Sequence, residues 1–400
     1  MTRGGQRLGA WMACATILLV VVASACSSSG SNGASTASGA IGAIGATLRS
    51  GSFVQADSLG NTVIGGSDRS SLAFRFRATW TGSVAAIRFY VIKNVNGRSG
   101  YSSGTMGTLR VALESDSGGR RHVPSGKRLA SASFRPADRG FFPEVHFGKA
   151  PNIVAGHLYH VVFTNIDSEP ANNYVSVNAL YSDSRLGHGP AVPDDLAVLE
   201  GDRGGGGATY WSPRRSGPHE YYLPILDVVG GSGQHLGIGY MEVWDAKPIG
   251  GDAQVRQLLR TRSGKSTRVD GVWLRVQRES GAGNGLTLSI GRASGGSIAS
   301  ATVDPGKVPT SAPGWIHVRF SKPASLPAGA DLALTLSASG SSSYEAFPVR
   351  KGTSYGFDRT TIFDAGYAQF NDGGGWVGWD QWGGHDERNS DLQFALDVAR

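Results

Sequence analysis

The chain has 400 residues, 59 of them glycine, and only 17 % of its residues are charged. Sparse charge with abundant glycine favours loop-rich all-β structure over helices. The formal net charge is +7, but the basic residues are scattered and form neither a stripe nor a basic helix, which excludes a typical nucleic-acid-binding protein. Arg120-Arg121 and Arg214-Arg215 are the densest clusters. This pattern indicates a dispersed solubilising charge, with weak attraction to acidic polysaccharide or anionic lipid as the alternative.

Residues 1–25 have the organisation of a secretory signal peptide. Arg3 and Arg7 precede an apolar run from about Leu8 to Val22, and small residues follow it. The run is too short to cross the ~30 Å hydrocarbon core of a bilayer comfortably, and no later segment is long enough to do so. We therefore expect these residues to be removed and the mature protein to be exported.

The chain has 2 cysteines, Cys14 inside this apolar run and Cys26 directly after it. Cleavage before Cys26 leaves a single thiol, so the mature chain has neither a disulfide nor a cysteine-based zinc site. The segment Ala-Ser-Ala-Cys at 23–26 resembles the lipobox of bacterial lipoproteins, in which a diacylglycerol is attached to the cysteine. That family prefers Leu, Val or Ile where Ala23 stands. The alternative is an ordinary A-x-A cleavage site beside a chance cysteine.

The resemblance implies that Cys26 is lipidated and anchors the protein to the membrane of the bacterial cell envelope. In a Gram-negative cell, Ser27 after the cysteine implies sorting to the outer membrane. Residues 26–50 are rich in Gly, Ser and Ala, a composition that predicts a disordered, flexible tether. Without lipidation the protein would be secreted.

The rest of the chain has the pattern of an internal duplication. Four segments match in the same order in both halves, and loops absorb the differences in length. The matched pairs are 64–91 with 249–276, 129–134 with 298–303, 144–156 with 317–329, and 226–228 with 396–398. We therefore predict two domains, residues 51–230 and 240–400, divided by a glycine-rich linker at 229–239.

Each predicted domain consists of short runs in which apolar residues alternate with polar ones. Leu109, Val111 and Leu113 in the first copy correspond to Leu286, Leu288 and Ile290 in the second, and Tyr159, Val161 and Phe163 correspond to Leu332, Leu334 and Leu336. Alternation of this kind between turn residues indicates half-buried strands, and no segment has a helical stripe. The fold prediction is all-β, with two tandem antiparallel β-sandwiches of the jelly-roll type.

The string F-x-K-x-x-x-x-x-A-G-x-x-(Y/L)-x-(V/L), which begins at Phe147 and at Phe320, gives the copies a family likeness. The two copies resemble the β-sandwich accessory modules of secreted bacterial carbohydrate-active and cell-surface proteins. The resemblance implies a carbohydrate-binding role, and it transfers no specific functional residue.

Aromatic residues among glycines form the strongest candidate binding site. Trp376, Trp379 and Trp382 recur every three residues, a spacing that fits neither face of a strand and predicts an irregular loop. Indole rings can stack on the apolar faces of sugars while neighbouring polar groups bind the hydroxyls. The alternative is that two of these tryptophans cap the sandwich core. The candidate carbohydrate-binding set is Tyr210, Trp211, Tyr367, Trp376, Trp379, Asp380, Gln381 and Trp382.

Ionisable residues give weaker signals. Glu144 and His146 share a strand face and could form a general-base pair, but a solvated face is the favoured interpretation. His157 and His160 correspond to Ala330 and Ala333, and we expect His160 to face solvent. The sequence contains no recognisable catalytic motif and predicts no cofactor; structural calcium has no motif to support it.

Three hypotheses for the function follow. The leading one is a non-catalytic envelope lipoprotein that binds a polysaccharide, a cell-wall glycan or another surface polymer through aromatic loops. The second is a polysaccharide lyase or glycoside hydrolase with its cleft between the two sandwiches. The third is a structural or adhesive envelope protein whose tryptophans are buried.

Overall fold

The computed structural model describes most of the chain beyond the predicted tether. The described residues are 52–55, 59–66, 70–92, 102–138, 142–183, 189–190, 195–203, 209–215, 217–240, 246–261, 266–279, 283–340, 343–350, 366–378 and 390–398. All of them belong to one compact unit. Predictions that lie outside the described residues concern the signal peptide, Cys26, the tether, Trp379, Asp380, Gln381 and Trp382.

The described residues form thirty short strands and two single 3-10 turns, Pro136–Asp138 and Pro305–Lys307. The first half contains β1 (Ser52–Gln55), β2 (Leu59–Ile64), β3 (Ser71–Arg77), β4 (Gly82–Phe89), β5 (Val91–Ile92), β6 (Ser102–Ser103), β7 (Leu109–Asp116), β8 (Pro124–Phe134), β9 (Glu144–His146), β10 (Asn152–Ile153), β11 (Leu158–Asn165), β12 (Tyr174–Asp183), β13 (Ala197–Arg203), β14 (Thr209–Pro213), β15 (Glu220–Pro224), β16 (Leu226–Gly230) and β17 (His235–Tyr240). Within these described ranges, no helix has the length and hydropathy that crossing a membrane requires.

The second half follows with a shorter set of strands. These are β18 (Lys247–Ile249), β19 (Gln254–Arg260), β20 (Thr267–Arg278), β21 (Leu286–Arg292), β22 (Ser297–Val303), β23 (Gly314–Leu326), β24 (Asp331–Ala338), β25 (Tyr344–Ala346), β26 (Val349–Arg350), β27 (Ala368–Asn371), β28 (Val377–Gly378), β29 (Ser390–Asp391) and β30 (Phe394–Val398). The all-β prediction is confirmed.

In the first half, three sheets enclose one apolar core. Their strand orders are β14-β13-β3-β11-β7-β8, β1-β17-β16-β4-β10 with β9 beside β4, and β15-β12-β2 with β5 and β6 beside β12. Phe163 on the first sheet and Phe89 on the second meet edge to face, with ring centroids 4.7 Å apart. The alternating apolar residues predicted to be buried, Val111 and Val161 among them, are fully buried in this core.

The second half encloses a separate core. One sheet has the order β22-β21-β24-β19-β27-β28, another has the order β18-β25-β20-β23 with β30 beside β20, and β26 pairs with β29. Leu288, Leu334 and Val272 are fully buried in this core. The two halves are therefore antiparallel β-sandwiches, with only the β1–β17 contact running parallel among the described strand pairs.

The sheet β14-β13-β3-β11-β7-β8 and the sheet β28-β27-β19-β24-β21-β22 have the same order of equivalent strands. The cross-strand registers of β8, β7 and β11 agree with those of β22, β21 and β24, whereas β3 and β19 pair two residues away from the match predicted between 64–91 and 249–276. Leu113 lies opposite Val161 and Ala130, and the corresponding Ile290 lies opposite Leu334 and Ala299. This agreement supports the internal duplication, which stays a prediction, as do the domain bounds.

The second part of the predicted linker, residues 235–239, belongs to a β-strand. After a turn at 231–234, residues His235–Tyr240 form β17, which pairs with β16 on one side and β1 on the other. A Cβ atom at Gly237 would overlap the carbonyl oxygen of Leu226, so this glycine permits close strand approach instead of flexibility. A glycine-rich composition is therefore not sufficient to identify a flexible linker here.

Tryptophans from the second half join the core of the first. Trp315 on β23 is 6 % exposed and lies in the first core, and Trp273 on β20 packs against the same core. The indole of Trp315 lies against Gly189, where a side chain would have no room. Trp273 also stacks on His317, with ring centroids 4.3 Å apart. The outward face of the second sandwich therefore packs on the first half.

Candidate functional site

The candidate site is built on the outer face of the sheet β22-β21-β24-β19-β27-β28, at the edge where Trp376 precedes β28. The guanidinium of Arg256 on β19 lies 4.1 Å from the centroid of the Trp376 ring. Arg256 Nε also donates a 2.7 Å hydrogen bond to Gln369 Oε1 on β27. The cation–π contact and the hydrogen bond together orient the indole on the sheet.

Burial lowers the pKa of the Arg256 guanidinium, and the nearby Tyr367 acts in the opposite direction. An arginine keeps its charge under such a shift, because its ordinary pKa lies far above neutrality. The charged guanidinium beneath the ring therefore holds one indole face, and Trp376 itself stays partly exposed. A ring held in this way loses little conformational freedom when a ligand contacts it.

A row of polar side chains extends from this tryptophan across the outer face of the sheet. Arg256 lies between Gln369 and Thr335 in the strand register, and Ser289 and Ser300 continue the row across β21 and β22. In the next row, the hydroxyls of Thr287 and Thr302 lie 3.1 Å apart and are exposed. We call Trp376, Arg256, Gln369, Thr335 and Ser289 the Trp376 face.

The first sandwich has a tryptophan at the equivalent edge, but its surroundings differ. Trp211 on β14 packs against the buried residues Ala73, Val162 and Leu199. In the common strand order, Val162 takes the place of Thr335 in the second sandwich. Trp211 therefore covers an apolar patch, whereas Trp376 lies against a guanidinium that begins a row of polar residues.

Tyr210, the other predicted site residue of the first half, is 68 % exposed. Near it in sequence, Arg214 lies 4.2 Å from the Tyr222 ring centroid and 3.1 Å from Glu200 Oε1. Tyr367 in the second half is half-buried, and its carbonyl oxygen accepts a hydrogen bond from Leu258 N. The described predicted residues thus divide between two sheets, Tyr210 and Trp211 on one and Tyr367 and Trp376 on the other.

One expectation about ionisable residues is wrong. His160 does not face solvent: it is fully buried on the outer face of β11, in register with Arg75 on β3 and Glu114 on β7. Its Nε2 lies 3.6 Å from Asp116 Oδ2, and within the described residues neither ring nitrogen has a hydrogen-bond partner. Burial lowers the pKa of His160 to about 4, although Asp116 opposes the shift.

The cause of this burial is the loop between β7 and β8, which folds over the outer face of the sheet. Arg75 Nη1 donates to the carbonyl oxygens of His122 and Arg121, at 3.1 and 3.5 Å. His122 Nδ1 lies 3.1 Å from Asp116 Oδ1. The alternation of apolar and polar residues along β11 could not indicate that His160 is covered, because the covering loop belongs to the β7–β8 hairpin.

Glu144 and His146 share a face of β9, as predicted. His146 Nε2 lies 2.9 Å from Glu144 Oε1, and both side chains are well exposed. Such a pair is solvated on both sides, which agrees with the favoured interpretation of this strand face.

Cavities open on the described part of the first sandwich. One has a volume of about 250 Å³ beside Asn165 and Asp167, and another has a volume of about 370 Å³ beside His122, His157 and Tyr159. The described residues contain no group of three or more His, Cys, Asp or Glu side chains that could hold a metal ion. No protein-family model, no curated protein and no solved structure matches this chain.

Proposed function

We propose that the protein is an exported, non-catalytic glycan-binding protein of the bacterial cell envelope, and that it binds sugar through the Trp376 face. The observation that supports this most is the contrast between two equivalent tryptophans. Trp211 rests on apolar side chains, whereas Trp376 lies against the guanidinium of Arg256, which stands in a row of polar residues on an outward sheet face.

This combination matches what a sugar offers to a protein. A pyranose ring has an apolar face for an aromatic ring and hydroxyls at its edge for polar groups. On the Trp376 face, the indole supplies the first contact, while Arg256, Thr335 and Ser289 supply donors and acceptors along the direction perpendicular to the strands. A row in this direction suits an extended chain of sugar units.

Replacement of Trp376 by alanine tests this site. Trp376→Ala should weaken glycan binding by about 1–3 kcal/mol, roughly 5- to 150-fold, since it removes the aromatic anchor. The melting temperature should change little, because the contact described for this ring is with the Arg256 guanidinium and not with an apolar cluster. Isothermal titration with a panel of cell-wall oligosaccharides measures the first effect and calorimetric melting the second.

Trp211→Ala is the matched control, because Trp211 occupies the equivalent edge of the first sandwich. It should lower the melting temperature, since it uncovers Ala73, Val162 and Leu199, and it should leave glycan affinity unchanged. Loss of affinity in the Trp211 variant with none in the Trp376 variant would contradict the assignment of the site.

We also propose that a lipid on Cys26 holds the protein at the membrane. Cys26→Ala should release the protein from the membrane fraction into the soluble fraction, because the rest of the mature chain has no sequence that could replace a diacylglycerol anchor. Fractionation with immunoblotting measures the release, and mass spectrometry of the wild-type N-terminus should detect an acylated cysteine. A soluble wild-type product with a free Cys26 thiol would refute the anchor.

A further inference from the structure

The hairpin that joins β7 to β8 in the first sandwich carries a concentrated positive charge. Residues 117–128 read SGGRRHVPSGKR and contain no Asp or Glu. The four cationic side chains, Arg120, Arg121, Lys127 and Arg128, are all exposed. We call residues 117–128 the basic hairpin.

The fold does not require this charge. The equivalent hairpin of the second sandwich joins β21 to β22 through residues 293–296, which read ASGG and carry no charge. The residues beneath the two hairpins differ as well. The first sandwich has Arg75, His160 and Glu114 in one cross-strand row, and the second has Leu258, Ala333 and Gly291 at the equivalent place. The basic hairpin and its ionisable support are therefore additions to one copy of a common scaffold.

Buried groups fasten the basic hairpin to the sheet. Glu114, 8 % exposed, accepts a 3.0 Å hydrogen bond from Gly126 N, and Asp116 accepts one of 3.3 Å from Gly118 N. Arg75, 7 % exposed, holds the carbonyl oxygens of Arg121 and His122 from below. His122 adopts a left-handed backbone with φ of 48°, a conformation that persists only where surrounding contacts enforce it. The cations are thus presented on a fixed support.

A cleft of about 370 Å³ opens beside the basic hairpin, between Gly118, His122, His157 and Tyr159. The basic side chains at the cleft are more exposed than the carboxylates that they contact. The side chains of His122 and Arg77 are 44 % and 30 % exposed, whereas their partners Asp116 and Asp195 are each 12 % exposed. An approaching ligand therefore meets imidazole and guanidinium groups before it meets carboxylates.

We propose that the basic hairpin and this cleft bind an acidic polysaccharide, with one carboxylate-bearing sugar unit in the cleft. The exposed guanidinium groups of the basic hairpin can bind carboxylates with paired hydrogen bonds, and the cleft beside them has the size of a small-ligand pocket. A flat anionic membrane would need no cleft. A single-stranded nucleic acid would need aromatic rings for its bases, and the basic hairpin contains no Phe, Tyr or Trp. This site is separate from the Trp376 face.

Isothermal titration with hexagalacturonate tests the proposal on the full mature chain. The wild type should bind this probe, and its methyl-esterified form, which has the same length and no charge, should not bind. Arg120→Ser/Arg121→Ser should weaken hexagalacturonate binding about tenfold or more, because it removes two charged contacts. Added salt should weaken binding further.

Arg292→Ser/Lys322→Ser is the matched control, since it removes two exposed positive charges from the second sandwich. This variant should bind hexagalacturonate as the wild type does. An equal loss in the charge control would mean that only net charge matters, and that result overturns the proposal. Equal binding of the methyl ester, or tighter binding of phosphatidylglycerol vesicles or single-stranded DNA, overturns it as well.

Discussion

A Trp315→Ala variant should lose about 3–5 kcal/mol of folding free energy, the loss expected when a large aromatic side chain is removed from a core. Trp315 belongs to β23 of the second sandwich, yet it is 6 % exposed and lies within the core of the first. Its indole also lies against Gly189. The variant therefore leaves a cavity at the junction of the two halves, and urea denaturation followed by circular dichroism measures the cost.

Trp376→Ala serves as the control for Trp315→Ala, because it removes the same atoms from a partly exposed position of the same sandwich. Its unfolding free energy should differ little from that of the wild type. A loss of less than about 1 kcal/mol in Trp315→Ala would contradict the packing of the second half on the first, since core aromatic truncations cost more than that.

Lowering the pH from 6.5 to 4 should remove about 3 kcal/mol of stability through His160. Its pKa is about 4 in the folded protein, against about 6.5 for an unperturbed histidine. Between these values the unfolded chain binds a proton that the folded protein does not, so stability is complete above pH 6.5 and falls as the pH drops. Burial is the main cause, with Asp116 opposing it and Arg75 and His122 reinforcing it.

His160→Leu should flatten this pH dependence, because the variant has no imidazole to titrate. The measurement is the unfolding free energy in urea at intervals from pH 7 to pH 4, compared between variant and wild type. Glu114 contributes in the opposite sense in both proteins, since burial raises its pKa. His157→Leu, which changes an exposed histidine three residues away, should keep the wild-type slope. An equal slope in wild type and His160→Leu would contradict the buried imidazole.

Much of the fold could be predicted from the sequence because strand alternation is a local signal. Leu109, Val111 and Leu113 are buried as their period-2 spacing indicates, and so are Leu286 and Leu288. In three strands of each of two equivalent sheets, residues matched between the copies also lie at equivalent cross-strand positions, since register follows from which face is apolar.

The errors have a common physical cause, which is contact between segments far apart in sequence. His160 faces away from the core as alternation implies, but a separate hairpin covers it. Gly237 allows close strand pairing within β17. The burial of Trp273 and Trp315 could not be predicted, because the residues that cover them lie in the other half of the chain.

The candidate site was predictable in part. Trp376 was identified from its spacing among glycines, and Tyr367 with it. The sequence could not indicate Arg256 and Gln369, because strand pairing brings them to Trp376 from about 120 residues away and from the preceding strand. Nor could it distinguish Trp376 from Trp211, since the difference lies in the neighbouring strands.

Tryptophan fluorescence during titration with a panel of cell-wall glycans tests the central claim most directly. The mature wild type should give a saturable change with at least one glycan, Trp376→Ala should lose that change, and the mixture should gain neither reducing ends nor unsaturated products. A wild type that responds to no glycan would contradict glycan binding and favour a structural envelope protein. Accumulation of cleaved product would contradict the non-catalytic assignment and favour a lyase or hydrolase.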